Sequence, residues 1–487
     1  MPHHAIPPVP DTAAGTAGAT SGMSRTPKAP GLSRRTALRV TAAGVTAALG
    51  GAAGLALPGR ARAADSRSRQ RVVVIGGGVA GVSLAWLLDG EHDVVLLEAA
   101  PELGGHARTI DVTVGGKHIA VDAGAQYFGP KSHPTYWRLL TDVLQVPTVP
   151  APMNLTVSRR GVDRPVLVSP DNQRVWPLFD PLYWGALAAM AVFTERGKQI
   201  LANNDRSTTA EEFINSLPVP GSIKEDLLFP LAGSMFGFSV PQVKEMAAFS
   251  VVAFVIRGLG DGFLAPYDYH NATDGLRSVV AALQTGLTSV TTYVSAAATG
   301  LSWQDGVYQV EDSTGRTHVG DHLVLALPPY AAGPLVSKLA GTADIVSTYG
   351  RFRYIPARVA IHTDPTYMPA RRGDWSGFNV LTDGPWCEPS MWFGAFRDVD
   401  VYKSWVSHRA ELPRETIATF DYLHAQETPD LARAQAALGA IQGDQGLWFA
   451  GTHMTDVASQ ESALVSAITV AQRLAPGSAN LARVLGT

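Results

Sequence analysis

Arg71-Val-Val-Val-Ile75-Gly76-Gly77-Gly78-Val79-Ala80-Gly81 is an apolar run that breaks into glycines and resumes as a helix-like segment. Residues 71–75 show no polar face, so they are read as a strand buried on both sides of a parallel sheet. Gly76, Gly78 and Gly81 match G-x-G-x-x-G. In that pattern the first glycine permits a tight turn and the second lets backbone approach a pyrophosphate. The third lets the following helix pack close to the strand. The helix read from Val79 to Leu88 then aims its amino end, with its partial positive charge, at the anion. A second apolar strand, Val94 to Leu97, ends at Glu98, twenty residues after Gly78. A carboxylate there accepts hydrogen bonds from a ribose. Strand, glycine loop, helix, strand and acid in register predict an α/β dinucleotide-binding fold.

Ahead of this unit, Ser33-Arg34-Arg35-Thr36-Ala37-Leu38 reads as a twin-arginine export signal. An Ala/Gly-rich run from Thr41 to Leu57 follows, then Ala61-Arg62-Ala63, a small-x-small cleavage site. Residues 1–63 are therefore expected to be a signal peptide with a disordered start. The run is poor in Leu, Ile and Phe and ends in Pro58-Gly59-Arg60, which argues against a permanent membrane anchor. Twin-arginine export moves folded proteins, so the export machinery is an expected partner and the expected location is extracytoplasmic or secreted. A cofactor working there is loaded inside and held through export, which suits a tightly bound flavin better than a nicotinamide.

The chain carries 39 Lys+Arg and 42 Asp+Glu, and without residues 1–63 the net charge falls to −9. An acidic chain gives no electrostatic case for nucleic acid or an anionic membrane. The remaining length, about 420 residues, predicts two domains. Cys387 is the only cysteine, so no intrachain disulfide forms, as befits folding in a reducing compartment. No CxxC or HExxH spacing points to a metal.

Leu103-Gly104-Gly105-His106-Ala107-Arg108-Thr109 resembles the glycine doublet of the flavin amine oxidase and phytoene desaturase superfamily. Asp122-Ala123-Gly124-Ala125-Gln126-Tyr127-Phe128 resembles the family segment that returns beneath the flavin ring. Asp321 to Pro329 resembles the strand closing the FAD domain, and Leu447 to His453 its final strand. Ser459 to Ala467 would open the last helix, whose first amides face the flavin pyrimidine. Ile361-His362-Thr363-Asp364, Met368-Pro369 and Trp375-Ser376-Gly377-Phe378-Asn379 look like a bacterial subgroup of flavin amine oxidoreductases. The layout also looks like that of bacterial polyunsaturated fatty acid isomerases. The resemblance covers most of residues 70–475.

The resemblance implies non-covalent FAD, since Cys387 is remote from the family's linkage site. The implied cofactor-binding residues are Gly76, Gly78, Gly81, Glu98, Gly104, Gly105, Arg108, Gly124, Gly451, Thr452, Glu461 and Ala463. It implies a Rossmann-like FAD-binding domain assembled from residues 68–130, 272–335 and 437–476. An inserted α+β substrate domain would come from residues 131–271 and 336–436. Within it, the apolar runs Trp184 to Phe193 and Met246 to Ile256 are too short to span a bilayer. They are read as buried core helices, with the alternative that one lines an apolar substrate tunnel.

Departures from an amine oxidase bear on the chemistry. Such enzymes often carry a lysine beside flavin N5, and strand alignment places Arg358 there. An arginine stays protonated, so it orients water or an anion but cannot act as a base. An aromatic ring expected before the last helix aligns with Ser459. His106 stands where the family has Arg, with Arg108 two places on, and His453 where it often has an acid. His362 and Asp364 could share a proton at a strand end or stabilise a turn. Arg358 and His362 are the candidate catalytic residues. The expected function is an exported FAD-dependent oxidoreductase taking hydride from a small or hydrophobic organic substrate. The alternatives are a flavin-dependent isomerase or desaturase of a lipid-like unsaturated substrate, and a flavoprotein that binds without turnover.

Overall fold

The structure, a computed structural model, describes residues 69–151, 153–169, 175–259, 268–409 and 411–487. The twin-arginine motif, the Ala/Gly-rich run and the cleavage site lie outside the described residues. Arg71–Ile75 is the middle strand of a five-stranded sheet. The order is Leu447–Phe449, His322–Leu325, Arg71–Ile75, Asp93–Leu97, Thr291–Tyr293. Every pairing is parallel. The middle strand is apolar throughout its interior because both faces are covered. Val72 and Val74 join a core with the helices Val79–Leu88 and Gln460–Leu474. Val73 and Ile75 join another with the strands Ala298–Gln304 and Val307–Asp312 and the helix Pro329–Val336. The second strand starts one residue earlier than expected, at Asp93, opposite Arg71.

A second, seven-stranded sheet has the order Thr416–Gln426, Arg353–His362, Tyr402–Trp405, Trp386–Trp392, Phe378–Asp383, Leu155–Arg159, Leu167–Val168. Only the pairing of Phe378–Asp383 with Leu155–Arg159 is parallel. The fold is thus mixed α/β, a parallel sheet plus a mainly antiparallel one. The apolar runs are helices, Pro181–Ala202 and Ala248–Gly258. Asp180 caps the first by accepting from the Leu182 amide, with Pro181 at the first helical position. Met190, Phe193, Val252 and Val255 pack with Leu155, Val157, Phe378 and Val380 of the sheet. Among the described residues no helix is long and apolar enough to cross a membrane.

The two sheets meet at the hairpin Thr109–Val114 and Lys117–Asp122. Its Val112 and Val121 pack on Val359 and Ile361 of the seven-stranded sheet. That contact decides which face of the strand Arg353–His362 looks toward the glycine loop.

Glu427, just past the strand Thr416–Gln426, is a second tie. Its carbonyl accepts from the Ala247 amide, ahead of the helix Ala248–Gly258. Its carboxyl accepts from the Ala458 amide at 2.6 Å, ahead of the helix Gln460–Leu474. Burial pushes this carboxyl up to about 7 from an ordinary 4.5. The fold therefore favours the protonated acid. That stabilisation is complete below the ordinary value and is lost as pH rises through about 7. The shift corresponds to roughly 3 kcal/mol. Glu427→Gln keeps a neutral acceptor and removes the titration. Denaturant unfolding at pH 5 and pH 8 should show the wild type losing up to about 3 kcal/mol more than the variant. Equal losses would assign the pH dependence to other carboxyls.

Candidate active site

The strand Arg71–Ile75 ends in Gly76, at φ +109°, where a Cβ would lie 2.4 Å from the Ala326 oxygen. At Gly81 a Cβ would fall 1.8 Å from the Gly76 oxygen. Helix and strand thus meet without side chains. A Cβ on Gly78 would meet nothing within 4 Å, so the loop opens there onto free space. Gly78 is also the N-cap of the helix Val79–Leu88, and no side chain caps its first amides. They are left for an anion. Glu98 is tied to this loop: Oε2 accepts from the Gly77 amide at 2.6 Å and Oε1 from Ala100 at 2.7 Å. Each oxygen keeps a lone pair for a sugar hydroxyl.

The glycine doublet closes the same mouth. The Gly104 amide donates to the Gly77 oxygen at 2.8 Å, and a Cβ on Gly105 would lie 3.2 Å from Gly78 Cα. Gly124 adjoins through His106, whose oxygen accepts from the Ala125 amide and leaves no room for a Cβ on Gly124. Gly451 and the exposed Thr452 follow the edge strand Leu447–Phe449. The Gly451 amide donates to Ser466 Oγ at 2.8 Å. Ala463 lies inside the last helix, buried, one turn after its cap Ser459. These features fit a dinucleotide: an open glycine loop, uncapped helix amides and a fixed carboxylate.

Glu461, Arg108 and the departing residue His453 make contacts within the protein. Glu461 accepts from the amides of Thr135 and Tyr136, so it caps the short helix Pro134–Arg138. Arg108 is exposed and lies over the Phe420 ring, 5.4 Å from its centroid. His453 is buried, against Tyr349 and Phe352.

The catalytic candidates both sit on the far face of their strand. Val359 and Ile361 face the hairpin, so by alternation Arg358 and His362 face away. Arg358 is half exposed and paired with Asp421 across the strand at 2.7 Å. His362 is buried with Nε2 on Ser404 Oγ at 2.8 Å. Burial lowers its pKa to about 4, so it is neutral at pH 7. Asp364 accepts from the amides of Thr366 and Arg414, which makes it a turn stabiliser. An alignment one residue out of step exchanges one face of a strand for the other.

The register identifies what occupies the near face. Val359 pairs with Phe420 and Trp405, Ala357 with Tyr422, Ile355 with His424, and Ile361 with Lys403. Lys403 is 1% exposed. Its Nζ donates to the Gly124 oxygen at 2.6 Å and to Gln126 Oε1 at 3.2 Å. Burial lowers its pKa to about 7, against the pull of Asp122. Asp122 Oδ1 accepts from Thr109 Oγ1 and the Leu276 amide, and burial raises its pKa to about 6. Tyr422 stands with its ring 5.2 Å from that of His106. The alternation Phe420, Tyr422, His424 was the available signal for this face; nothing local marked Lys403.

Gly78→Val should keep the fold and lose the flavin, because a Cβ there meets no protein atom within 4 Å. Gly81→Ala meets backbone instead and should destabilise the protein by about 1–3 kcal/mol. Thermal melting and flavin absorbance separate the two, and full flavin content in Gly78→Val would remove the basis of this site.

Residues 79–353 match the flavin containing amine oxidoreductase family. No curated protein matches the chain. Among solved structures, cyclohexylamine oxidase from Brevibacterium oxydans IH-35A is similar at TM-score 0.60 and 15% identity, over 83% of this chain and 99% of that one. Putrescine oxidase bound to putrescine is similar at TM-score 0.60 and 14% identity, over 83% and 99%. The CLA-producing fatty acid isomerase from P. acnes is similar at TM-score 0.56 and 15% identity, over 83% and 98%. At such identities these structures speak for the fold alone. The family match spans more than half of the sequence, and the chain belongs to the flavin-containing amine oxidoreductase family, whose members are flavin-dependent oxidoreductases.

Proposed function

We propose that this protein oxidises a neutral, largely apolar organic molecule by hydride transfer to non-covalent FAD, after export by the twin-arginine route. One observation carries the substrate reading. The sheet face that meets the glycine-lined mouth presents Trp405, Phe420, Tyr422 and His424, and Lys403 on the same face is buried and held by Gly124 and Gln126. A cationic amine there would lose hydration that its charge needs. A neutral or chain-like molecule would not.

Residues 68–130, 272–335 and 437–476 form the Rossmann-like cofactor domain in this reading. Residues 131–271 and 336–436 form the inserted α+β substrate domain. The glycine loop and helix amides hold the pyrophosphate, and Glu98 holds a ribose. Lys403 keeps Gly124 and Gln126 in place beside the ring. When bound, the flavin supplies the two-electron acceptor. Non-covalent binding is supported by Cys387, which is buried with its thiol on the Phe238 oxygen at 2.8 Å. Isomerisation of a lipid-like unsaturated chain is the second reading. The apolar surroundings of His424, where the rings of Phe236, Phe238 and Phe254 pack, favour it.

Anaerobic bleaching of the purified flavoprotein tests the class. Neutral alcohols or unsaturated fatty acids should reduce the flavin faster than simple primary amines, and peroxide release in air marks an oxidase rather than an isomerase. Bleaching by simple amines alone would return the protein to amine oxidation. Acid precipitation should release all the yellow colour, and a coloured flavin-peptide would contradict non-covalent binding. Arg34→Lys with Arg35→Lys should trap FAD-loaded protein in the cytoplasm, and its normal appearance outside would refute the export route.

A further inference from the structure

We propose that His424 is the substrate-facing hydrogen-bond acceptor of this site, selecting apolar molecules that carry a neutral hydroxyl or amine donor. The proposal rests on the oxidoreductase reading and deepens it by naming what the substrate presents. His424 lies one same-face step beyond Tyr422 on the strand Thr416–Gln426. Tyr422 stands against His106 and over Gly124, at the glycine-lined mouth. His424 therefore stands where that mouth meets the helical lobe.

Its hydrogen bond fixes its chemistry. Nδ1–H donates to the Phe236 oxygen at 2.6 Å. The neutral ring then carries its lone pair on Nε2. That nitrogen has no hydrogen-bond partner among the described residues, and it is not sealed off, since the residue is only half-buried. Burial lowers the pKa of His424, and burial, with a smaller contribution from His424, lowers the neighbouring His106 to about 4.

The surroundings are apolar. The rings of Phe236 and Phe238 lie 6.0 and 5.5 Å from the imidazole, Phe254 packs on Phe236 at 4.9 Å, and Ile355 stands opposite. A ligand that covers Nε2 without offering a donor leaves a desolvated lone pair unpaired, which is the situation that gives strong discrimination. Two other polar groups nearby do not compete for this role. Lys403 donates to Gly124 and Gln126 and is inaccessible. The Tyr422 hydroxyl is buried, and a hydroxyl accepts or donates equally well.

Calorimetry on the FAD-loaded full chain, with benzyl alcohol and toluene as probes, tests the proposal. The wild type should bind benzyl alcohol about tenfold more tightly than toluene. His424→Phe should bind toluene as before and lose the preference. In parallel, selective 15N-histidine labelling of the wild type should show an unprotonated Nε2 at pH 7 that shifts with benzyl alcohol and not with toluene. This measurement stands even if the variant fails to fold. A preference that survives in His424→Phe, no preference or no binding in the wild type, or an unresponsive Nε2 would overturn the proposal. Flavin content in the same samples reports separately on the oxidoreductase reading. A flavin-free protein that keeps the His424-dependent preference would sink that reading and leave this one standing.

Discussion

One buried lysine ties the seven-stranded sheet to the segment 122–126 beside the glycine-lined mouth. Lys403 reaches from the seven-stranded sheet to the carbonyl of Gly124 and the amide oxygen of Gln126. An isolated buried cation is strongly unfavourable, so this geometry holds only while those acceptors and the field of Asp122 offset desolvation. Asp122 is in turn held by Thr109 and by the amide of Leu276, where the chain re-enters the parallel sheet. The segment 122–126 is thereby gripped from both sides. Its backbone position, and with it the placement of His106 and Tyr422, follows from that grip.

A second constraint is close approach of backbones. Gly76, Gly81 and Gly124 each sit where a Cβ would fall within 2.4 Å of a carbonyl oxygen, whereas Gly78 faces open space. The first three are required by the protein itself. At Gly78 the protein itself leaves room for a side chain, so a requirement for glycine there would come from a ligand. The distinction separates glycines needed for packing from one that packing does not need.

The nucleotide half was legible because its signals are local. An unbroken apolar strand, glycines at fixed spacing and an acid at the end of the next strand need no knowledge of distant residues. Which face of the strand Arg353–His362 meets the hairpin was not legible for the converse reason. Arg358 and His362 were chosen from a strand alignment, and a period of two makes such a choice right or wrong for the whole strand at once. Only the packing of Val359 and Ile361 on a hairpin some 240 residues earlier decides the face. Lys403 shows the same limit: it sits between Tyr402 and Ser404 in an ordinary strand, and its partners lie nearly 280 residues away. Glu461 looked like a flavin ligand by position, yet it caps a helix built from residues 134–138.

The central claim is that the face carrying Lys403, Tyr422 and His424, and not the face carrying Arg358 and His362, borders the flavin. A crystal structure of the FAD-loaded protein tests it directly. The account predicts a pyrophosphate on Gly78, a ribose on Glu98, and the flavin ring against Gly124 with Tyr422 and His424 beside it, while Arg358 stays paired with Asp421. A flavin ring lying against Arg358 or His362 would contradict it.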